Sequence, residues 1–519
     1  MSNHKTSLCY VGNFPDIVKE HIRQDVCQNL SVEYKVEYND YCLFHAPTVD
    51  KDKVEFDALF NKRIKDNHSH FEAVVFPVPL DFNHANFTLP LNFKDATFLS
   101  SVAFYKSRLK YAYFDQVRFN GFVQFHLCFF GELATFTGAT FYSGAWFTGS
   151  HFKRSRFDRV TFAGETRFNS WVKFLDEADF GSAKFLGATA FDTATFESSV
   201  SFDEAEFDED SQVSFYGSSF QASVTFNKAI FKGHLNFEGV ESRDVFGDIS
   251  GLSLRKARLE APEKLSFHSV RLRPHWFIEA DSRRFVLTNI RWETAKVREI
   301  KAKDELSSLE DANTATHCPT FARYRLLSIA CRQLAENAGT NNRFEEASML
   351  RRMAMDTEWL EKKASFRNWI GNAFKRAEKL KSRFRAGDFF IHGLYRFTSR
   401  YGESWAWASG VLLLMILMIF PLFYTRTNFQ TCPREKPLAM TIAICASNDE
   451  QVKKSCECRQ GGLGFGEAVV HSLTTATLQS VDYRKPTTKK GETAVILEKI
   501  FAPLQAALLA LALRRKFMR

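Results

Sequence analysis

The sequence predicts a mainly β protein, a four-sided β-solenoid, joined by an α-helical linker to an α-helical domain that crosses a membrane twice. Three observations predict this. Phenylalanine recurs in steps of five and six residues from Phe76 to Phe237; the apolar period changes to 3.6 near residue 320; and twenty uncharged residues run from Trp405 to Tyr424.

The Phe ladder is the most specific of the three. The chain holds 54 Phe, and the ladder runs Phe76, Phe82, Phe87, Phe93, Phe98, Phe104, then on through Phe114, Phe119, Phe125 and Phe130. It continues to Phe207, slips once by eight residues to Phe215, and ends at Phe237. A helix would sweep such a series around its whole circumference, and a simple strand needs period two. Small or β-branched residues stand two positions before many of these rings, among them Ala96, Val102, Ala134, Ala145, Ala178, Thr189 and Ala205. A large and a small residue two apart share one side of an extended segment. Repeating that pair every five or six residues requires a chain that turns a corner after each short strand. Stacked coils then satisfy each other's peptide groups. Four sides per coil give about 22 residues per turn, about ten coils and a rod of about 45–50 Å, with the six-residue steps taken up as bulges at the corners.

This A-x-F-x-x pattern resembles the pentapeptide-repeat family in its Phe-centred variant, and the resemblance implies a right-handed quadrilateral solenoid over residues 71–293. Glu263 to Trp292 is similar to the closing coils of membrane-linked relatives. Some members of the family imitate DNA and act on type II topoisomerases. Between Phe71 and Ser250, 22 acidic residues face 15 basic ones, and six acids crowd together at Asp203, Glu204, Glu206, Asp208, Glu209 and Asp210. That cluster reads as a solvated corner rather than a DNA-like face.

Residues 1–70 form a Cys- and His-containing cap. Cys42 and His45, in the stretch YCLFHAP, have the spacing with which thiolate and imidazole clamp zinc, and Cys9 and Cys27 would complete a tetrahedral set. The arrangement is similar to small zinc-binding modules with a YC-x-x-H element, although 17 residues separate the first two cysteines. The alternative is three buried thiols and an incidental His. No apolar core follows the N-terminal Met, so a cleaved signal peptide is not expected and everything before residue 400 is placed in the cytoplasm.

The linker covers residues 294–364. Phe321, Tyr324, Leu327, Ala330 and Leu334 share one helical face, and Phe344, Ala347, Leu350 and Met353 another, with a Gly339–Asn342 turn between. The pattern predicts a helical hairpin that resembles a single tetratricopeptide-type unit. Residues 365–404 are a basic amphipathic juxtamembrane segment. From Lys362 to Arg400 there are 11 basic and 2 acidic residues, which suits anionic lipid. The whole-chain charge of +9 is thus concentrated beside the first span, and nucleic acid is the less favoured partner.

Residues 405–519 form the two-span domain. The first span has aromatic residues at both ends. The second, from Ala494 to Leu513, is interrupted by Glu498 and Lys499 but ends in RRKFMR. Basic residues before the first span and after the second predict cytoplasmic N- and C-termini in a cell inner or plasma membrane. The loop 425–493 then faces an oxidising side, and Cys432, Cys445, Cys456 and Cys458 become disulfide candidates of open connectivity. Within it, 465–480 is a short apolar helix running into Ser472-Leu-Thr-Thr-Ala-Thr-Leu-Gln. The order span, short helix, span resembles the two-helix pore domain of potassium-channel-like proteins. That resemblance implies a homo-oligomer, a tetramer if a channel, with Thr474, Thr475, Thr477 and Gln479 as pore-lining candidates and Pro503 as a gating kink. Leu478 to Asp482 lack the filter glycines, which argues against ordinary potassium selectivity.

No motif for a nucleophilic elbow, a metalloprotease or a P-loop is present, so no enzymatic activity is expected. The expected function is an oligomeric channel-like membrane protein whose cytoplasmic solenoid docks or senses a protein partner. A membrane-tethered interaction scaffold without a pore and a topoisomerase-directed DNA mimic are the alternatives.

Overall fold

The structure, a computed structural model, describes residues 27, 32–36, 39–46, 51–240, 244–292, 320–375, 386–399, 401, 404–431, 459–478 and 484–517. The chain divides into two compact units, Met1–Arg343 and Phe344–Arg519. The division passes between the two helices whose patterns read as a hairpin, and each is described with its own unit.

The first unit is a β-solenoid of about ten turns. Most of its strands are two or three residues long, and they pair in parallel with the same face of the neighbouring coil. One ladder runs Phe76, Phe98, Phe119, Phe141, Phe162, Phe185, Phe207 and Phe231, partners that lie 22, 21, 22, 21, 23, 22 and 24 residues apart. Four faces result. Two are ladders of nine and ten strands; the other two are joined into one thirteen-stranded sheet by the longer strands Arg108–Tyr113 and Phe129–Thr135, which pass through a corner.

The core is the ladder itself. Phe136, Phe147, Phe157 and Phe168 are fully buried, and so are Ala134, Ala139 and Ala145. Rings on one face stack almost parallel from coil to coil, as in Phe147 on Phe168 (centroids 4.6 Å apart, planes 1° apart). Rings on adjoining faces meet edge to face, as in Phe147 and Phe157 (5.7 Å, 86°). Both geometries suit the aromatic quadrupole. Small residues fill what the rings leave.

The two step lengths have different corners. A five-residue step closes on a tight turn in which the alanine N–H donates to the preceding Phe carbonyl, as Ala96 does to Phe93 (2.9 Å). The residue before that donor, which is Ala, Ser or Val, takes a positive φ: Asp95 (59°), Lys106 (58°), Gln116 (59°) and, where glycine is available, Gly138 (68°) and Gly149 (69°). In the six-residue steps the extra residue enters a wider bend, and the ladders pass through without losing register.

Both ends are covered. Helix α1 (Lys53–Lys65), capped by Asp52 on the N–H groups of Val54 and Glu55 (both 2.9 Å), lays Phe56 and Phe60 on the rings of the first coil. At the far end, helix α2 (Thr320–Thr340) carries Asn337, fully buried, whose amide donates to the carbonyls of Ser282 (3.1 Å), Arg283 (3.1 Å) and Phe285 (2.8 Å).

The second unit holds α3 (Phe344–Lys375), α4 (Ala386–Ser399), α5 (Trp405–Thr425), α6 (Phe465–Ala476) and α7 (Lys489–Phe517). Helix α3 reaches eleven residues into the segment read as juxtamembrane, which is therefore helical over both described parts. Helix α5 widens to a π-turn over Met415–Ile419, just before Pro421, whose ring would otherwise clash with the preceding turn. A three-stranded antiparallel sheet of Asn428–Thr431, Arg459–Gly462 and Arg484–Pro486 lies between α5 and α7 in the chain. The sequence pattern gave no sign of it.

Replacing Phe147 with Ala should destabilise the solenoid by about 3–5 kcal/mol, because the stack cannot close over the cavity. Tyr142→Ala, at a 54% exposed ring, should change stability by less than about 0.5 kcal/mol. Denaturant titration followed by circular dichroism compares the two. Asn337→Leu should take the amide donor from the carbonyls of Arg283 and Phe285, while Ser282 keeps the Phe285 N–H (3.4 Å), and limited proteolysis should then cut the last coils first.

Candidate functional site

The strongest polar constellation lies in the second unit, among otherwise apolar helices. Helices α5 and α7 are long and apolar enough to cross a membrane, and little of either is buried. Leu413, Leu414, Met418, Ile419 and Phe423 on α5, and Ile496, Ile500 and Leu504 on α7, expose large apolar side chains. Exposure on that scale calls for lipid or a sister subunit.

Ser404 caps α5, accepting from the Trp407 N–H (3.3 Å). Helix α6 starts at Gly464, whose N–H donates to Glu467 Oε2 (3.3 Å), and Arg484 donates to the Glu467 carbonyl (3.1 Å). The buried face of α6 is Ala468, His471, Ser472 and Thr475, the i, i+3, i+4, i+7 stripe of a packed helix. Its other side exposes Phe465, Val470 and Leu473, and Leu478 just beyond its end is exposed too.

These faces converge on Glu498. Its carboxylate, fully buried on α7, accepts hydrogen bonds from the hydroxyls of Tyr424 on α5 and Ser472 on α6. One side chain thus ties both apolar helices to the short helix between them. Next to it, His471 is 3% exposed and lies edge-on to the rings of Tyr424 (5.0 Å) and Phe429 (5.1 Å). Neither His471 nitrogen has a hydrogen-bond partner among the described residues. Phe420, Tyr424, Phe429, Leu463, Ala468 and Ala494 form the apolar cluster around them. Further along α7, Gln505 donates to the carbonyls of Thr398 (2.6 Å) and Ala408 (3.0 Å) and ties α4 and α5 to it.

Sequence reasoning treated Glu498 as a defect in a span. The signal available was a lone acid flanked by apolar turns, which in a membrane helix marks a function by default. Of the pore-lining candidates, Thr475 is buried. Thr474 is partly buried and donates to the carbonyls of Val470 (3.0 Å) and His471 (2.9 Å). Thr477 is exposed and donates to Leu473 (3.1 Å) and Thr474 (3.0 Å). Gln479 lies outside the described residues. The chain leaves α6 through Leu478 at φ 61°, a left-handed conformation unusual for a branched side chain. Pro503 sits inside α7. Cys432, Cys445, Cys456 and Cys458 all lie outside the described residues.

A second constellation is in the cap. Cys27, Cys42 and His45 are buried with their ligand atoms within 4.8 Å of one another. Cys9, the fourth candidate, lies outside the described residues. Burial pushes the Lys51 ammonium down to about 7, with the charge of Cys42 acting the other way. Two of the six acids at the acidic corner of the solenoid are ion-paired in place, and a third accepts a backbone hydrogen bond. Glu204 pairs with Lys228 (2.8 Å), Glu206 with Lys232 (2.6 Å), and Asp203 accepts from the Asn227 N–H (2.8 Å), all one coil further on. These contacts link one coil to the next at that corner.

The family model for pentapeptide repeats (nine copies) matches residues 82–128, 125–172 and 191–241. The solenoid is therefore built of pentapeptide repeats. No curated protein matches the chain.

Glu498→Ala should lower the thermal stability of the detergent-solubilised protein, since two buried hydroxyls lose their acceptor at about 1–3 kcal/mol each. Glu498→Gln keeps an acceptor oxygen and should lose less. Melting of the two variants beside the parent protein makes the comparison.

Proposed function

We propose that the protein is a channel-like membrane protein assembled from several copies, in which a cytoplasmic pentapeptide-repeat solenoid docks a protein partner. The observation that carries this reading is the Glu498 junction. It supports a unit of span, short helix and span in which α6 is held against both apolar helices by a carboxylate that hydrocarbon would not tolerate unpaired. A polar junction of this kind has little value in a plain anchor. It is of use where the position of α6 matters.

Two spans cannot enclose a pore, so conduction requires a ring of subunits, and a tetramer is the closed arrangement we propose. The exposed apolar side of α6 favours such neighbours. Thr474 and Thr477, on the less buried sides of α6, are then better placed to face a pore than Thr475. The cytoplasmic ends follow from the basic residues before α5 and at the end of α7. Pro503 is the proposed hinge of the second span. The solenoid serves as a stiff interaction surface, and no catalytic role is proposed for it.

Native mass spectrometry in detergent, followed by ion flux into liposomes, tests the proposal. The expected result is an oligomer of about four copies that conducts, with flux altered by Thr474→Ala or Thr477→Ala. A monomer or dimer that passes no ion would leave a membrane-tethered interaction scaffold as the function.

A further inference from the structure

The cap and the first coil share an edge that a metal ion would lock. The hairpin of Val32–Val36 and Asn39–Cys42 ends at Cys42, and the chain folds back at once: the N–H groups of His45 (3.1 Å) and Ala46 (3.0 Å) both donate to the Cys42 carbonyl. This turn brings Cys42 Sγ within 3.2 Å of His45 Nδ1. Cys27 Sγ comes within 3.2 Å of the same nitrogen and 3.5 Å of Cys42 Sγ. Tetrahedral zinc with Zn–S near 2.3 Å and Zn–N near 2.0–2.1 Å sets its ligand atoms about 3.6–3.8 Å apart. The three atoms stand within a few tenths of an ångström of that triangle.

The second coordination sphere is also built. His45 Nε2 lies 3.1 Å from the Glu72 carbonyl. A carbonyl only accepts, so Nε2 carries the hydrogen and the Nδ1 lone pair faces both sulfurs. The Lys51 ammonium donates to the carbonyls of Leu43 (3.0 Å) and Phe44 (3.2 Å), the two residues between the Cys and the His. Arg63 lies over the Phe44 ring at 4.9 Å. Two thiolates with a neutral imidazole balance one divalent ion.

We propose that Cys27, Cys42 and His45 supply three of the four ligands of a structural zinc ion, and that this ion fixes the cap on the open N-terminal end of the solenoid. The loop between the ligands is the part that meets the rod. The Phe44 carbonyl accepts from the Val75 N–H of the first coil (2.9 Å), and its ring meets Phe56 of α1 edge-on at 5.1 Å. Zinc binding at this place is paired-edge stabilisation: it holds a row of peptide groups covered that would otherwise template another chain.

The test uses the full chain, purified in detergent from zinc-supplemented cells under reducing conditions. Elemental analysis should find about one zinc per chain, lost in Cys42→Ser and in His45→Ala. Because those variants can fail to fold, the parent protein supplies a second measurement. Exchange of zinc for cadmium should give thiolate-to-metal charge-transfer absorption, and labelling with mass mapping should find Cys27 and Cys42 protected until a chelator is added. Absence of stoichiometric zinc with both thiols labelled freely would overturn the proposal. So would a Cys27–Cys42 disulfide in the reduced preparation, or zinc that survives both substitutions.

Discussion

Each coil of the solenoid gives its peptide groups to the coil before and after it, so the first and last coils present rows of N–H and C=O groups with no coil to receive them. Leaving a buried peptide group unpaired costs as much as a lost hydrogen bond, and an open strand edge invites other chains. The rest of the first unit follows from this constraint. At one end the Phe44 carbonyl and α1 close the first coil; at the other a single asparagine, Asn337, reaches three carbonyls with one amide group. The Phe stacks between them supply the apolar gain, but stacking alone would build an unlimited fibre. The caps make it a domain.

The same cost governs the second unit, whose two long apolar helices suit a bilayer. Glu498 would be prohibitive in hydrocarbon if left alone. Two hydroxyls from two other helices meet it, and the three helices become one object through that contact. His471, edge-on to the Tyr424 and Phe429 rings and with no partner for its own nitrogens among the described residues, adds a second polar group to the same apolar cluster. Buried polar groups of this kind specify position more than they add stability. The arrangement therefore bears on where α6 sits, and α6 is the element on which a pore would depend.

Much of the fold was legible in the sequence because the solenoid repeats its physics. Every Phe of the ladder solves one packing problem about thirty times over, so period and step length alone gave the four faces and the coil of about 22 residues. The first apolar helix was legible for the simpler reason that twenty neutral residues have few other uses, and the second from its apolar run ending in RRKFMR. The corner chemistry was less visible, since positive-φ positions hold Asp95, Lys106 and Gln116 rather than the glycines that would have announced them. The small sheet around Asn428–Thr431 was hidden because its three short strands come from separate parts of the loop. Cys42 and His45 announced their pairing by spacing, whereas Cys27 joins them only through tertiary folding. Glu498 was misread because an acid inside an apolar run looks like an interruption until its partners on α5 and α6 are known.

The exposed leucines, the Glu498 junction and the proposed assembly all take their meaning from α5 and α7 lying within a bilayer. Alkaline carbonate extraction of membranes from cells that make the full chain tests it most directly. The protein should remain in the pellet and leave it only with detergent. Release into the carbonate supernatant would contradict the account, and would recast both helices as the core of a soluble assembly.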